Sequence, residues 1–81
     1  MGRPDELTID GVRRAVAELL SERPEGLGDG DNLFARGLNS MAMMRLASVW
    51  QRHGVEVDLV AMSEEPTLSA WARLIDEAYP S

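Results

Sequence analysis

Three stretches of the chain repeat apolar residues at helical spacing, and each one follows a residue that favours the N-cap position. The three capping residues are Thr8, Asn39 and Thr67. A side-chain oxygen at this position accepts an N–H group of the first helical turn that has no intrahelical partner. Because caps and periodic apolar stretches account for so much of the chain, the fold is constrained to be mainly helical. The sequence predicts helices over residues 9–21, residues 40–53 and the stretch from Leu68 to about Ala78.

A long glycine-rich loop separates the first two predicted helices. Pro24 ends the first helix, because a proline disfavours helical backbone at the residue before it. Residues 25–31 contain too many glycines to continue a regular element. Leu27 is predicted to fasten the middle of this loop to the core. Either Asp31 or Asn32 is predicted to cap a single turn that follows.

The remaining segments favour an all-α fold in one domain. Asp58 is predicted to cap a short third helix over residues 59–63. The alternating residues 55–57 have no second strand to pair with, so an extended connector is predicted there. Residues 1–6 are polar and are predicted to fray. The sequence therefore predicts a four-helix bundle of three longer helices and one short helix, as a single domain over residues 1–81.

Charge and composition argue against several classes of function. A net charge of −6 opposes binding to the nucleic-acid backbone. The chain has neither an apolar run of the roughly 20 residues that span a bilayer nor a signal-peptide core, so a cytoplasmic, non-membrane protein is predicted. It also has no cysteine, so any thiol must come from a cofactor. No nucleophile, base and orienting group form a set, and the acids near Asp29 lack calcium-loop spacing, so neither an enzyme nor a metal site is predicted.

Ser40 is the principal candidate for a functional residue, because it stands at the start of the second predicted helix. The first turn of a helix has free N–H groups and a partial positive charge, so a hydroxyl there is well placed to carry an anionic group. The alternative is that Ser40 only helps to begin the helix, as serines often do. Its position alone does not decide between these two interpretations.

The residues around Ser40 favour the first interpretation. The segment L-F-A-R-G-L-N-S-M, the long loop before it and the length of the chain resemble acyl, peptidyl and aryl carrier proteins. The resemblance implies a four-helix fold and a 4′-phosphopantetheine attached to Ser40, whose thiol holds an intermediate as a thioester. Asn39 stands where this family usually has an aspartate, which keeps the helix cap but removes a negative charge.

Two further features resemble the aryl branch of the carrier family, which serves siderophore-type nonribosomal assembly lines. Residues 40–53 contain no acidic residue, unlike the fatty-acid type, and the run M-S-E-E-P-T-L-S-A-W resembles aryl carrier domains. The resemblance implies a carrier of an aryl or aminoacyl group, and a freestanding monomer is predicted. Its partners would be a phosphopantetheinyl transferase, an adenylating enzyme and a downstream condensation, tailoring or transferase enzyme. A polyketide-type acyl carrier and an acidic helical adaptor remain as alternatives.

The helical spacing assigns the side chains of the second helix to two faces. One face is predicted to point inward, and the opposite face, Met41, Arg45 and Ser48, is predicted to meet partner proteins. His53 is interpreted as a residue of the last helical turn that complements the dipole. The residues predicted to fill the core are Met43, Met44, Leu46, Ala47, Trp50, Trp71, Phe34, Leu38, Leu59, Val60 and Met62, of which the last five could instead rim a resting place for the arm.

Overall fold

The computed structural model describes residues 2–79, which form four α-helices and two short 3₁₀ turns. The α-helices are α1 (Ile9–Leu20), α2 (Ser40–Arg52), α3 (Leu59–Glu64) and α4 (Leu68–Ala78). No strand occurs within these residues, which confirms the predicted all-α, four-helix class. None of the helices in this part of the chain is both long and apolar enough to cross a membrane.

Side-chain caps begin all four helices at the residues that the sequence predicts. In each case a backbone N–H of the first turn donates to the capping oxygen, and the pairs are Gly11 with Thr8 (3.0 Å), Ala42 with Asn39 (2.8 Å), Val60 with Asp58 (2.9 Å) and Ala70 with Thr67 (3.1 Å). The C-terminal ends of α1 and α2 come one residue earlier than predicted, α3 ends one residue later, and α4 ends at Ala78 as predicted. Helix α1 stops at Leu20 because Ser21 adopts the left-handed conformation, with a φ of 56°. Helix α2 stops at Arg52, so His53 caps it from outside.

The chain is ordered earlier than the sequence predicts. Asp5–Leu7 forms a 3₁₀ turn, although fraying was expected over residues 1–6; of these, Met1 lies outside the described residues. The turn forms because Leu7 is buried in the core and the Thr8 hydroxyl donates to the Asp5 carbonyl at 2.8 Å. The prediction was wrong for residues 5 and 6, because the polar composition of the segment does not reveal the apolar anchor that follows it.

Helix α1 lies directly against this N-terminal turn. A Cβ at Gly11 would stand 1.8 Å from the Asp5 carbonyl oxygen, so only glycine permits the contact. Arg14 of α1 donates a hydrogen bond to the Asp5 carboxylate. That bond, with the attraction of the same carboxylate, raises the pKa of Arg14 above its usual value, so the guanidinium stays charged. Turn and helix therefore form one unit.

Two tryptophans form the centre of the hydrophobic core. The rings of Trp50 and Trp71 meet edge to face, with centroids 6.1 Å apart and planes inclined by 72°. The Trp71 indole N–H donates to the Met62 carbonyl at 2.9 Å, which satisfies its only polar atom. Both side chains are buried, as predicted, and together they connect α2, α3 and α4.

The long loop between α1 and α2 is fixed to the body of the protein at several points. Leu27 and Leu33 are buried, which confirms the predicted role of Leu27. The Leu33 N–H donates to the Pro66 carbonyl at 2.8 Å, and the Ser69 N–H donates to the Asp29 carbonyl at 3.0 Å. The loop is therefore part of the framework that positions the start of α2.

Candidate functional site

Ser40 is the first residue of α2, and its side chain is exposed to solvent. Asn39 before it has extended backbone and caps the helix, accepting the Ala42 N–H on its side chain and the Met43 N–H on its carbonyl. The described residues provide no acceptor for the N–H groups of Ser40 and Met41. These free donors and the helix dipole can together stabilise an anion bound to the serine oxygen.

A tight turn comes directly before the start of α2 and Ser40. Asn32 caps this turn by accepting the Ala35 N–H at 3.0 Å, which decides between the two capping residues proposed from the sequence. The Leu38 N–H closes the turn by donating to the Leu33 carbonyl at 3.0 Å, and both leucines are buried. Between them Gly37 has a φ of 112°, a conformation that residues with a Cβ rarely adopt. Because the leucines on both sides of the turn are buried, the turn fixes the position of Ser40 on the protein surface.

Arg36 is a site residue that the sequence analysis missed. Its guanidinium donates to the Gly26 carbonyl at 3.1 Å and to the Asp31 carboxylate at 2.8 Å, and it also pairs with Glu22. The Asp31 carboxylate in turn accepts the Gly28 N–H at 2.9 Å. Arg36 thus joins the segment after α1, the long loop and the turn before Ser40. The L-F-A-R-G run contains this arginine, but nothing local in the sequence indicates its distant partners.

The three residues of the predicted partner face are all exposed. Met41 leaves 68% of its surface in solvent, a large fraction for an apolar side chain next to the candidate site. Arg45 and Ser48 lie further along the same helix and are also exposed. The opposite face is buried through Met43, Leu46 and Trp50, as predicted, whereas Ala47 is half-buried.

Three residues that were predicted to fill the core are instead exposed. Met44 is 46% exposed because it follows Met43 by about 100° around the helix, outside the buried stripe. Leu59 and Val60 are exposed because α3 has only six residues and buries only Met62 among them. Leu38 and Met62 are buried as predicted, and Phe34 is half-buried against the core.

Two acidic residues of the long loop are engaged in structural contacts. Asp29 pairs with Arg13 of α1, and Asp31 pairs with Arg36. Within residues 2–79, no three histidine or carboxylate side chains gather as a metal site would require. His53 is half-buried at the end of α2, with its Nε2 atom 3.9 Å from a Glu6 carboxylate oxygen. Among the residues described above, only Ser40 combines three features. Its hydroxyl is exposed, it is the first residue of a capped helix, and a rigid turn precedes it.

Comparison with known families agrees with this geometry. Residues 10–75 match the model of the family described as "Phosphopantetheine attachment site". The match covers most of the chain, which therefore belongs to this family of carrier domains. Its members hold 4′-phosphopantetheine covalently and are carriers rather than catalysts. The predicted family and cofactor are confirmed.

Curated relatives with 38 to 42% identity share most of this chain. Isochorismatase of Bacillus subtilis (strain 168) is 39% identical over 74 residues, which are 91% of this chain and 24% of the relative. Phenyloxazoline synthase MbtB of Mycolicibacterium paratuberculosis is 42% identical over 64 residues, 79% of this chain and 6% of the relative. Enterobactin synthase component B of Escherichia coli (strain K12) is 38% identical over 64 residues, 79% of this chain and 22% of the relative. This chain thus spans at most about a quarter of these proteins.

A solved structure described as the crystal structure of holo T3CT has the same fold. It superposes with a TM-score of 0.63 at 21% sequence identity, over 89% of this chain and 93% of that one. At this level of identity the likeness supports the four-helix architecture alone.

Proposed function

We propose that Ser40 is the residue that carries 4′-phosphopantetheine, and that the protein holds an aryl group as a thioester on this arm. The observation that carries the proposal is the exposed hydroxyl at the first position of α2, in a chain of the phosphopantetheine attachment family. When bound, the arm supplies a flexible thiol, which this cysteine-free chain lacks. Two free N–H groups at the helix start would stabilise the phosphodiester that joins arm and protein.

The charges near Ser40 are compatible with an added phosphodiester. Asn39 caps the helix without a negative charge, and α2 contains Arg45 and Arg52 but no acidic residue. A new anion at Ser40 therefore meets no carboxylate on its own helix. Arg36 and Gly37 support the position of Ser40 through the rigid turn and need not contact the arm.

The proposed aryl cargo rests on the sequence relatives. Proteins named isochorismatase, phenyloxazoline synthase and enterobactin synthase component B all contain a segment 38 to 42% identical to this chain. Together with the acid-free α2, these relatives favour an aryl carrier of a siderophore-type nonribosomal pathway over a polyketide-type acyl carrier. The family match also removes the support for a simple helical adaptor.

The proposed partners are a phosphopantetheinyl transferase, an adenylating enzyme and a downstream condensation, tailoring or transferase enzyme. These enzymes need access to Ser40 and to the surface beside it. Met41, Arg45 and Ser48 offer that surface on α2, with an apolar side chain next to the serine and a cation one turn further on. We further propose that the protein acts as a monomer in the cytoplasm.

A single loading experiment tests the attachment site. The unmodified protein is incubated with coenzyme A and a promiscuous phosphopantetheinyl transferase, and its intact mass is measured. The wild type should gain one phosphopantetheine, and Ser40→Ala should gain none. Ser63→Ala is the matched control, because Ser63 is an exposed serine on a different helix, α3, outside the proposed partner face. Loading of Ser40→Ala, or failure to load the wild type, would refute the assignment.

A further inference from the structure

An apolar groove lies between α1 and α2, with a volume of about 190 Å³. Ala15 and Leu19 line it from α1 and Leu46 and Val49 from α2, and each helix also adds one charged residue, Glu18 and Arg45 respectively. We propose that this groove binds the aryl group while it is attached to the arm of Ser40. The inference rests on the proposed function, because it requires an aryl arm at that serine.

The size of the groove suits one aromatic ring. An apolar cavity of about 150 Å³ in a protein interior is large enough to bind benzene. Pockets for drug-sized molecules begin at roughly 300 Å³, so this groove offers room for about one ring. Its floor is made of aliphatic side chains, and Leu19 exposes 36% of its surface there. A bound ring would cover part of this apolar surface.

The charged residues of the groove favour an aryl group over an aliphatic one. Neither Arg45 nor Glu18 makes an ion pair or a side-chain hydrogen bond with any residue from 2 to 79, so both are available to a ligand. The Arg45 guanidinium can lie over the face of a ring, which attracts cations. The Glu18 carboxylate can accept a hydrogen bond from a ring hydroxyl.

The groove is within reach of an arm on Ser40. Arg45 lies five residues further along α2, or about 7.5 Å along the axis, and about 140° around it. Because a helix with its side chains is roughly 10 Å across, the path around its surface from Ser40 to Arg45 is about 14 Å. The arm has 13 bonds between phosphorus and sulfur, equivalent to a little over four extended residues or about 15 Å. The aryl ring extends beyond the sulfur and can therefore enter the groove.

Nuclear magnetic resonance of the loaded protein tests this proposal. The transferase attaches a benzoyl-bearing arm from benzoyl coenzyme A, and an acetyl-bearing arm provides the reference. We expect nuclear Overhauser effects between the ring protons and the methyl groups of Leu19, Leu46 and Val49. Leu19→Gln should reduce the benzoyl-dependent shifts at least twofold. Leu59→Gln tests the alternative resting place for the arm that the sequence left open, since Leu59 is 37% exposed on a different helix, and it should leave these shifts unchanged.

A second variant probes the cation. Arg45→Gln should weaken the benzoyl-dependent shifts by about two- to fivefold, as expected for the loss of an exposed cation–π contact. Two results would contradict binding of the aryl group in the groove without contradicting the proposed function. One is an attached benzoyl arm that shows no contact with these methyl groups, and the other is an equal effect of Leu19→Gln and Leu59→Gln. A protein whose mass shows no attached arm would overturn both proposals.

Discussion

At the scale of single residues, Ser40 is defined by its neighbours more than by its own contacts. Asn39 satisfies one N–H group of the first turn, and two more remain free beside the serine. An asparagine cap gives this geometry without a charge. The sequence predicted the cap and the serine because both depend on residues within one turn of the chain.

The separate roles of shape and charge at Asn39 can be measured by substitution. Asn39→Ala removes the bond to the Ala42 N–H and should lower the free energy of unfolding by about 1 kcal/mol. Asn39→Asp retains an oxygen acceptor and places a negative charge at the positive end of the helix, so its stability should be equal or slightly higher. Urea denaturation monitored by circular dichroism gives both values. If alanine and aspartate destabilise equally, the cap does not act through its acceptor.

Arg36 shows what local sequence patterns could not provide. Its partners lie five to fourteen positions away along the chain, in segments that only the folded loop brings together. The sequence indicated a long loop, but it could not indicate that the Arg36 guanidinium holds this loop in place. Long-range pairing of this kind depends on tertiary structure and has no local pattern.

At the scale of helices, the sequence predicted the central buried residues of α2. It did not predict which apolar residues beside the buried face would be exposed. Met43, Leu46 and Trp50 follow the helical repeat and are buried. Met44 and Val60 are apolar but stand outside the buried surface, because a narrow helix face and a six-residue helix bury few side chains. Apolar character alone therefore predicted more buried core residues than the structure contains.

The contact between α1 and the N-terminal turn leads to a stability prediction. Gly11→Ala should destabilise the protein by about 1 to 3 kcal/mol, because the new methyl group would collide with the Asp5 carbonyl, even though alanine favours helices. Gly26→Ala is the control, since a Cβ there would meet no atom of a non-adjacent residue within 4 Å. Thermal unfolding should show a lower midpoint for the first variant only. An unchanged midpoint for Gly11→Ala would mean that the turn does not hold its place against α1.

The exposed face of α2 leads to a prediction about partners. Met41→Asp and Arg45→Glu should each lower the kcat/KM of aryl loading or of downstream transfer by about tenfold, the effect of roughly 1.4 kcal/mol at an interface. Circular dichroism should remain unchanged, because both side chains are exposed. Arg23→Glu is the control, a charge reversal at an exposed position in the loop after α1. Equal rates for Met41→Asp, Arg45→Glu and the wild type would remove α2 as the partner face.

At the scale of the whole molecule, the acidic residues are distributed unevenly along the chain. The chain has a net charge of −6, yet α2 has two arginines and no acid. Loop acids such as Asp29 and Asp31 are paired with arginines. The fold class and the candidate site at Ser40 could be predicted from local patterns, whereas the groove between α1 and α2 required the packed structure, because two helices far apart in the sequence form it together.

We propose that Ser40 carries an aryl group through a phosphopantetheine arm. The most direct measurement is tandem mass spectrometry of the protein purified from its native host with its cargo still attached. We expect one modified peptide, with the arm on Ser40 and an aryl acyl group on its thiol. An arm located on another residue, or an arm that carries only aliphatic acyl groups, would contradict it.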